Sequence, residues 1–378
     1  MTRHVLKIFI TCTIFFTSTG CLNAEEKNKS WNNNAPSGKN LYTGDMGFTP
    51  WPYDLTEKAL DDTYSFINKN ATIIAHHLDG GVPWPEALKN RALPASVISD
   101  WKKRQSKTGD HLKVFLSITP LNFGRNGLAS YWSKNGDNQP LPEDWKRKSL
   151  NDPQVKKAFL NYALRAVESF KPSYLAIGIE SNIMITKEPN KWPEYIDLNA
   201  YIYQGIKAKY PDLPVFSTVQ YEHLRGIEGD SKPNVHLQKP AVEKLMKHSD
   251  YLALSTYRYG LVHPNPPTED YFKEALSFGK PVAIAEAGAM SETTIVMGMP
   301  LISNQKNQKE FISMILYNAQ RHNFPFVINW VAIDFDAMIS KIPSEMRGIA
   351  KAWVHTGMID EDMDEKRAFK VWKKHLNK

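Results

Sequence analysis

The chain has 378 residues, 42% of them hydrophobic and 23% charged, with a net charge of +7 and a mean hydropathy of −0.44. That composition excludes a disordered, collagen-like or multi-span membrane chain, and the length fits either two average domains or one large α/β barrel of about 250 residues or more. Two cysteines, Cys12 and Cys21, support neither a disulfide framework nor a cysteine-based zinc site, and lysines and arginines are spread among acids without a basic stripe, so no nucleic-acid partner is expected.

Arg3 and Lys7 precede an apolar run from Ile8 to Phe16, and the small residues Ser18-Thr19-Gly20 follow before Cys21. This pattern reads as an export signal over residues 1–20. The run is too short to span a bilayer, which needs about 20 apolar residues. Ser18-Thr19-Gly20-Cys21 is similar to the bacterial lipobox, with Ser18 where an aliphatic residue is usual. The resemblance implies a lipidated Cys21, hence a periplasmic or outer-membrane-attached lipoprotein that meets the membrane only through its anchor. Leu22-Asn23-Ala24 offers a second cleavage point and plain secretion instead. Residues 21–40, Asn-rich with Pro36-Ser37-Gly38, read as a flexible tether, which leaves 41–378 for the folded body.

From Leu41 onward short apolar runs alternate with stretches of helical periodicity. The predicted strands are Leu41–Phe48, Ile73–His77, Lys113–Thr119, Tyr174–Glu180, Val215–Gln220, Tyr251–Tyr257, Val282–Glu286 and Phe326–Val331. Several are continuously apolar, as strands buried on both faces are. The predicted helices are Leu55–Asn68, Pro153–Phe170, Leu198–Tyr210, Val242–His248, Asp270–Phe278, Lys306–His322, Ser344–Val354 and Glu365–Leu376. Asp152 before Pro153 is an N-cap followed by Pro at the first helical position. Eight strand–helix units predict an α/β fold, a single (β/α)8 TIM barrel. A doubly wound sheet is the alternative, although neither G-x-G-x-x-G nor a Walker-type loop is present.

Barrel chemistry sits where strands end at the C-terminal face. Glu180 closes the apolar run Tyr174–Ile179, and Glu286 closes Pro281–Ala285. A carboxylate at the end of a buried strand is costly unless it reaches solvent or a partner. Two of them suit glycoside hydrolysis, one protonating the leaving oxygen and the other attacking the anomeric carbon. The competing reading is a pair of structural acids held by Arg258 or by amides at the rim.

Here the chain resembles the clan A glycoside hydrolases, retaining enzymes of the (β/α)8 fold, and is distantly similar to the endo-β-1,4-galactanases. Glu180 and Glu286 end the fourth and seventh strands, Tyr257 the sixth and Trp330 the eighth. The segment Lys280–Gly288 and the C-terminal run Trp353–Trp372, with Thr356 to Asp360 and Lys366, also match the group's patterns. The resemblance implies Glu180 as acid/base and Glu286 as nucleophile. It departs at Ile179, where the group carries an Asn that hydrogen-bonds the sugar 2-hydroxyl. Asn182 and Gln220 are the candidate replacements.

Aromatic rings match the C–H face of a pyranose, and Trp51 and Trp84 lie in Pro-flanked loops near strand ends, with Trp132 in another loop and Trp330 at the last strand. Trp145, Trp353 and Trp372, on helices, are expected in the core. Adjacent His76 and His77 point to opposite faces of a strand, so one of them, His77 in this reading, meets the mouth. A metal site would need partners such as His223 or Asp334 and lacks H-E-x-x-H, so no metal and no cofactor is expected. The expected function is an exported retaining β-glycosidase acting on a polysaccharide or oligosaccharide. A non-hydrolytic carbohydrate-binding barrel and a metal-dependent hydrolase on the same fold are the alternatives.

Overall fold

The computed structural model describes residues 41–227, 235–259 and 267–376. The export signal over 1–20, Cys21 and the tether over 21–40 lie outside the described residues.

The strands are β1 (Asp45–Thr49), β2 (Ile73–Leu78), β3 (Lys113–Ile118), a hairpin of β4 (Tyr131–Ser133) and β5 (Gly136–Gln139), and β6 (Tyr174–Ala176). They continue with β7 (Val215–Phe216), β8 (Thr218–Gln220), β9 (Leu252–Arg258), β10 (Val282–Ala289), a hairpin of β11 (Thr294–Val296) and β12 (Met299–Leu301), and β13 (Phe326–Val331). The main sheet runs in the order β7-β6-β3-β2-β1-β13-β10-β9-β8. β7 and β8 are consecutive in the chain, separated by Ser217, yet stand at opposite ends of that order. One stretch of chain therefore supplies both ends of the series, as a (β/α)8 barrel requires. Every residue of β2, β9, β10 and β13 is buried, which explains why these strands show no alternation of apolar and polar residues.

The described residues group into two compact units. The first holds 74–220 and 235–253. In it β3, β6 and β7 pair in parallel, with Phe115 opposite Tyr174 and Leu175 opposite Val215. The helix Pro153–Phe170 starts where the Asp152 carboxylate accepts from the Gln154 N–H at 2.7 Å, and it buries Val155, Phe159, Tyr162 and Phe170. The second unit holds 41–73, 221–227, 254–259 and 267–376. In it β1 and β10 flank β13 in parallel. The helix Gln305–Arg321, capped by Asn304, packs beside the C-terminal helix Arg367–Leu376, whose Trp372 lies 4.8 Å from the Phe48 ring of β1. Gly47 in β1 lies so close to the Ile73 backbone that a Cβ would sit 1.7 Å from the Ile73 carbonyl oxygen, which only glycine avoids.

Three expectations change. The fourth predicted strand stops at Ala176 rather than Glu180, because the chain leaves the ladder and Glu180 takes a left-handed φ of 48°. The Trp84 loop is a short helix, Trp84–Leu88. A helix at Ala95–Lys107, absent from the periodicity reading, follows it; only Val97 and Trp101 of that helix are buried, too sparse an apolar stripe to register in sequence.

Candidate active site

In the first unit the site is built around Glu180. Its side chain is 2% exposed and pairs with Arg125, also 2% exposed, at 3.2 Å between Oε2 and Nη2. Arg125 also donates from Nε to the Ile179 carbonyl at 3.0 Å and from Nη1 to the Phe123 carbonyl at 2.6 Å. The Glu180 N–H donates to Thr218 Oγ1 at 2.8 Å. Below it a chain of hydroxyls runs Ser181–Tyr195–Ser217, with contacts of 2.5 and 3.0 Å, and Ser217 donates on to Asn199 Oδ1 at 2.8 Å. Gly178 makes room for that chain, since a Cβ there would meet the Tyr195 hydroxyl at 2.1 Å. Glu180 is thus paired with Arg125, which the sequence reading did not single out.

Asn182, a candidate sugar donor, is fully enclosed and spent on protein. Its Nδ2 donates to the Gln220 carbonyl and Gln238 Oε1 at 3.0 and 3.1 Å, and its Oδ1 accepts the Gln220 N–H at 2.8 Å. It clasps the end of β8 and offers no amide proton to a ligand. Gln220 is buried, with both main-chain groups in that clasp.

The two histidines diverge as strand geometry demands. His76 Nε2 lies 3.0 Å from Thr108 Oγ1 at the end of the helix Ala95–Lys107. His77 sits edge-on to Phe115, and burial, aided by Arg104 and Arg125, pushes it down to about 3, so its ring is neutral near neutral pH. Trp84 is corrected from a sugar platform to a core residue. It is 0% exposed, stacked on Trp145 at 5.2 Å, beside Phe159, and its indole N–H donates to the Ala129 carbonyl. Trp132 is also buried.

In the second unit the site is built around Glu286, 2% exposed, in the second half of β10. The Tyr257 hydroxyl at the end of β9 donates to Glu286 Oε2 at 2.7 Å. Tyr257 is itself stacked on Tyr259 and meets Trp353 edge-on. Gly288 lets the strand pass the tyrosine, because a Cβ there would lie 3.0 Å from its ring. Trp51, Trp330 and Phe335 form an aromatic group, with Trp51 6.0 Å from Trp330 and 5.9 Å from Phe335. Trp51 and Trp330 keep 9% and 8% exposure, unlike Trp84. A third buried carboxylate, Glu222, accepts from Thr256 at 2.6 Å and from Tyr271 at 2.7 Å; burial first and the Glu222 charge second push the Tyr271 hydroxyl well above its ordinary value.

Beyond β13, Asp334, Asp336 and His355 present ligand atoms within 4.8 Å of one another. Asp334, however, is already paired with the buried Lys366 ammonium, which also donates to Ser291 Oγ at 2.8 Å. The place of a cation on Asp334 is therefore filled by the chain itself. His355 Nδ1 stands 3.5 Å from both aspartates, an ion-pair distance rather than a well-formed hydrogen bond. Burial pulls His355 down, but Asp334, Asp336 and Glu292 outweigh it and raise it above its usual value. A raised histidine contributes stability that is full below about pH 6.5 and is lost as the pH rises through the folded value. His355→Gln is expected to remove that decline from urea midpoints measured across neutral pH; an unchanged profile overturns the assignment.

No protein-family model matches the sequence, and no curated protein does. Solved structures do match. The exo-β-1,4-mannosidase Op5Man5 from Opitutaceae bacterium strain TAV5 aligns over 88% of this chain and 59% of its own, with a TM-score of 0.60 at 14% identity. A β-D-glucuronidase of Dictyoglomus thermophilum aligns over 90% of this chain and 51% of its own, at TM-score 0.52 and 13% identity. The β-glycosidase BGL167 aligns over 83% of this chain and 84% of its own, at TM-score 0.52 and 12% identity. The chain spans 59% and 51% of the length of the first two, so what those larger proteins act on is not carried over with the alignment. With the nine-stranded order of the main sheet, these likenesses establish that the chain has the (β/α)8-barrel fold found in glycoside hydrolases.

Proposed function

We propose that the protein is a glycoside hydrolase that cleaves β-linked sugars with retention, with Glu286 as nucleophile and Glu180 as acid/base. The observation that carries this reading is the Glu286 carboxylate, buried near the C-terminal end of its strand and held by the Tyr257 hydroxyl at 2.7 Å. That bond fixes one carboxylate oxygen, which pre-orients a nucleophile for attack on an anomeric carbon. The fold shared with a mannosidase and other β-glycosidases supports the same reaction class. In this reading Trp51 and Trp330 receive a sugar face, and Gln220 and His77 offer polar contacts.

The reaction runs in two displacements. Glu286 attacks C1 as Glu180 gives its proton to the leaving oxygen, and water then replaces Glu286 with its proton passing back to Glu180. A panel of β-linked oligosaccharides, with the first-formed anomer followed by proton NMR, tests this. The β-anomer is expected first; an α-anomer overturns retention. Glycan binding without hydrolysis is the second reading, favoured by Ile179 in place of an Asn and by the fully engaged Asn182 amide. It predicts saturable binding in calorimetry and no product.

We also propose export, with Cys21 as the lipidated first residue. The charged, apolar and small-residue segments before Cys21 support it. Mass spectrometry of the mature N-terminus is expected to find a lipid-modified Cys21, and an unmodified start at Glu25 overturns the lipid anchor.

A further inference from the structure

We infer that Met297 is a modification site for peroxide, and that its thioether seats the β11–β12 hairpin on the helix Ser344–Ala350 only while it is reduced. Neither part depends on the hydrolase reading above.

The hairpin follows directly on β10 and is closed at its base. Ser303 Oγ donates to the Met290 carbonyl at 2.6 Å, and the Thr293 hydroxyl donates to the Ser303 carbonyl and accepts the Ser303 N–H, each at 3.2 Å. Val296 and Leu301 are buried beneath it. Val296 pairs with Met299, so Met297 and Gly298 alone make the turn. Their φ values are 49° and 83°, positive at both positions as in type I′ turns. Gly298 suits its place. Met297 does not, because the first position of such a turn favours Asn, Asp or Gly, and other side chains take left-handed backbone at a cost.

Gly348 is the second anomaly. It lies inside the helix Ser344–Ala350, which packs against β11, and a glycine there weakens a helix relative to alanine. One contact accounts for both residues. A Cβ on Gly348 would lie 2.8 Å from Met297 Sδ, so the glycine leaves a notch in the helix surface and the sulfur fills it. Asn or Gly at the turn would relieve the backbone and offer the notch no comparable apolar, polarisable atom. The same helix leads into Trp353, whose N–H donates to the Ala350 carbonyl at 3.1 Å and whose indole meets Tyr257 edge-on.

Met297 is 60% exposed, whereas Met290, Met314 and Met358 are fully buried, so a small oxidant in solution meets Met297 first. Met363, at 41%, is an exposed methionine outside this contact. A sulfur lone pair attacks one oxygen of hydrogen peroxide. The S–O bond forms as the O–O bond breaks, and the other oxygen leaves as water with both protons. The sulfur is oxidised by two electrons and the peroxide reduced by two. The sulfoxide is larger than the thioether and strongly polar, and its oxygen is better satisfied by water than by the carbon of a glycine. Oxidation therefore lifts the side chain from the notch and leaves the strained turn without its compensating contact.

The test treats the full chain with hydrogen peroxide, locates sulfoxides by peptide mass and reads amide exchange over 290–303 and 344–355. In Met363→Leu, Met297 is expected to gain its oxygen at least about tenfold faster than Met290, Met314 or Met358. Amides of both segments should then exchange about 5- to 30-fold faster. The same chain with Met297→Leu, which keeps an apolar side chain and has no thioether there, is expected to hold its exchange rates through the treatment. Gly348→Ala gives a second readout without oxidant. A glycine-to-alanine change inside a helix ordinarily slows exchange there. With Met297 in place it is expected instead to speed exchange in the hairpin, because the new Cβ displaces Sδ; combined with Met297→Asn it should slow exchange in the helix. Positions 297 and 363 are exposed and 348 is half-buried, so these variants are expected to fold. Met297 left reduced at a peroxide dose that oxidises Met363 in the wild type overturns the inference. So does a Met297 sulfoxide with unchanged exchange in both segments, or Gly348→Ala slowing exchange alike with and without Met297→Asn.

Discussion

Replacing Glu286 with alanine is expected to lower kcat on any glycoside the protein turns over by about 10⁴-fold or more, the scale on which loss of a nucleophile is felt. The fold should survive, because the neighbours of Glu286 in β10 are small apolar residues that keep their own packing. Added azide distinguishes the roles of the two carboxylates. With Glu286→Ala it replaces the nucleophile in a single displacement and gives an α-glycosyl azide. With Glu180→Ala it intercepts the glycosyl-enzyme and gives a β-glycosyl azide. The reverse pattern exchanges the roles, and wild-type turnover in Glu286→Ala removes the assignment altogether. Tyr257→Phe gives a graded version of the experiment. It deletes the 2.7 Å hydrogen bond to Glu286 Oε2 and leaves the ring stacked on Tyr259. A hydrogen bond to a charged group contributes roughly 1.5–3 kcal/mol, so kcat should fall about 10- to 100-fold.

The largest stability effect is expected at Lys366. Its ammonium and the Asp334 carboxylate are each 3% exposed, and Asp334 also accepts the Gly357 N–H at 2.9 Å. Lys366 further donates to Ser291, just beyond β10, so one side chain ties the C-terminal segment to the residues that follow both β10 and β13. Lys366→Met takes the ammonium from the buried Asp334 and leaves it only His355 and the Gly357 N–H, at a cost of about 3–5 kcal/mol. Urea unfolding of the single variant and of Lys366→Met combined with Asp334→Leu checks this. The double variant should recover part of the loss, because removing both charges removes the desolvation problem. A single-variant loss below about 1 kcal/mol would mean that water reaches the pair.

Much of the surroundings of Glu286 was legible in the sequence. Tyr257 stands next to the end of β9 and Glu286 in the second half of β10, which runs on to Ala289 beyond the predicted strand, and a strand's two-residue period fixes which face each side chain takes. Trp51 and Trp330, singled out one by one in the sequence, lie 6.0 Å apart. The surroundings of Glu180 were less legible. Arg125 comes from the loop Asn122–Gly127 after β3, which has no periodicity to place its side chain. Its pairing with Glu180 spans 55 residues and depends on left-handed backbone at both ends. Asn182 looked available because it is the amide nearest to Ile179, where the resemblance puts an Asn. Only the fold shows that Gln220 and Gln238 take up its hydrogen bonds. Trp84, flanked by prolines, looked like a stiffened loop residue; Pro85 instead falls in the first turn of a helix, where its missing N–H costs nothing, and the ring turns inward.

The sequence by itself determined the eight-strand alternation and hence the barrel, because burial on both faces imprints a continuous apolar run that needs no partner to be read. It also singled out Glu180 and Glu286 as carboxylates that follow apolar runs. Tertiary structure alone decided what each carboxylate touches: Arg125 for Glu180, Tyr257 for Glu286, and Thr256 with Tyr271 for Glu222. The physical reason is one of range. Periodicity is local and survives in any stretch of a few residues, whereas the charge and hydrogen-bond partners of a buried acid come from strands and loops distant in the chain, and they are set by how the strands are ordered around the sheet.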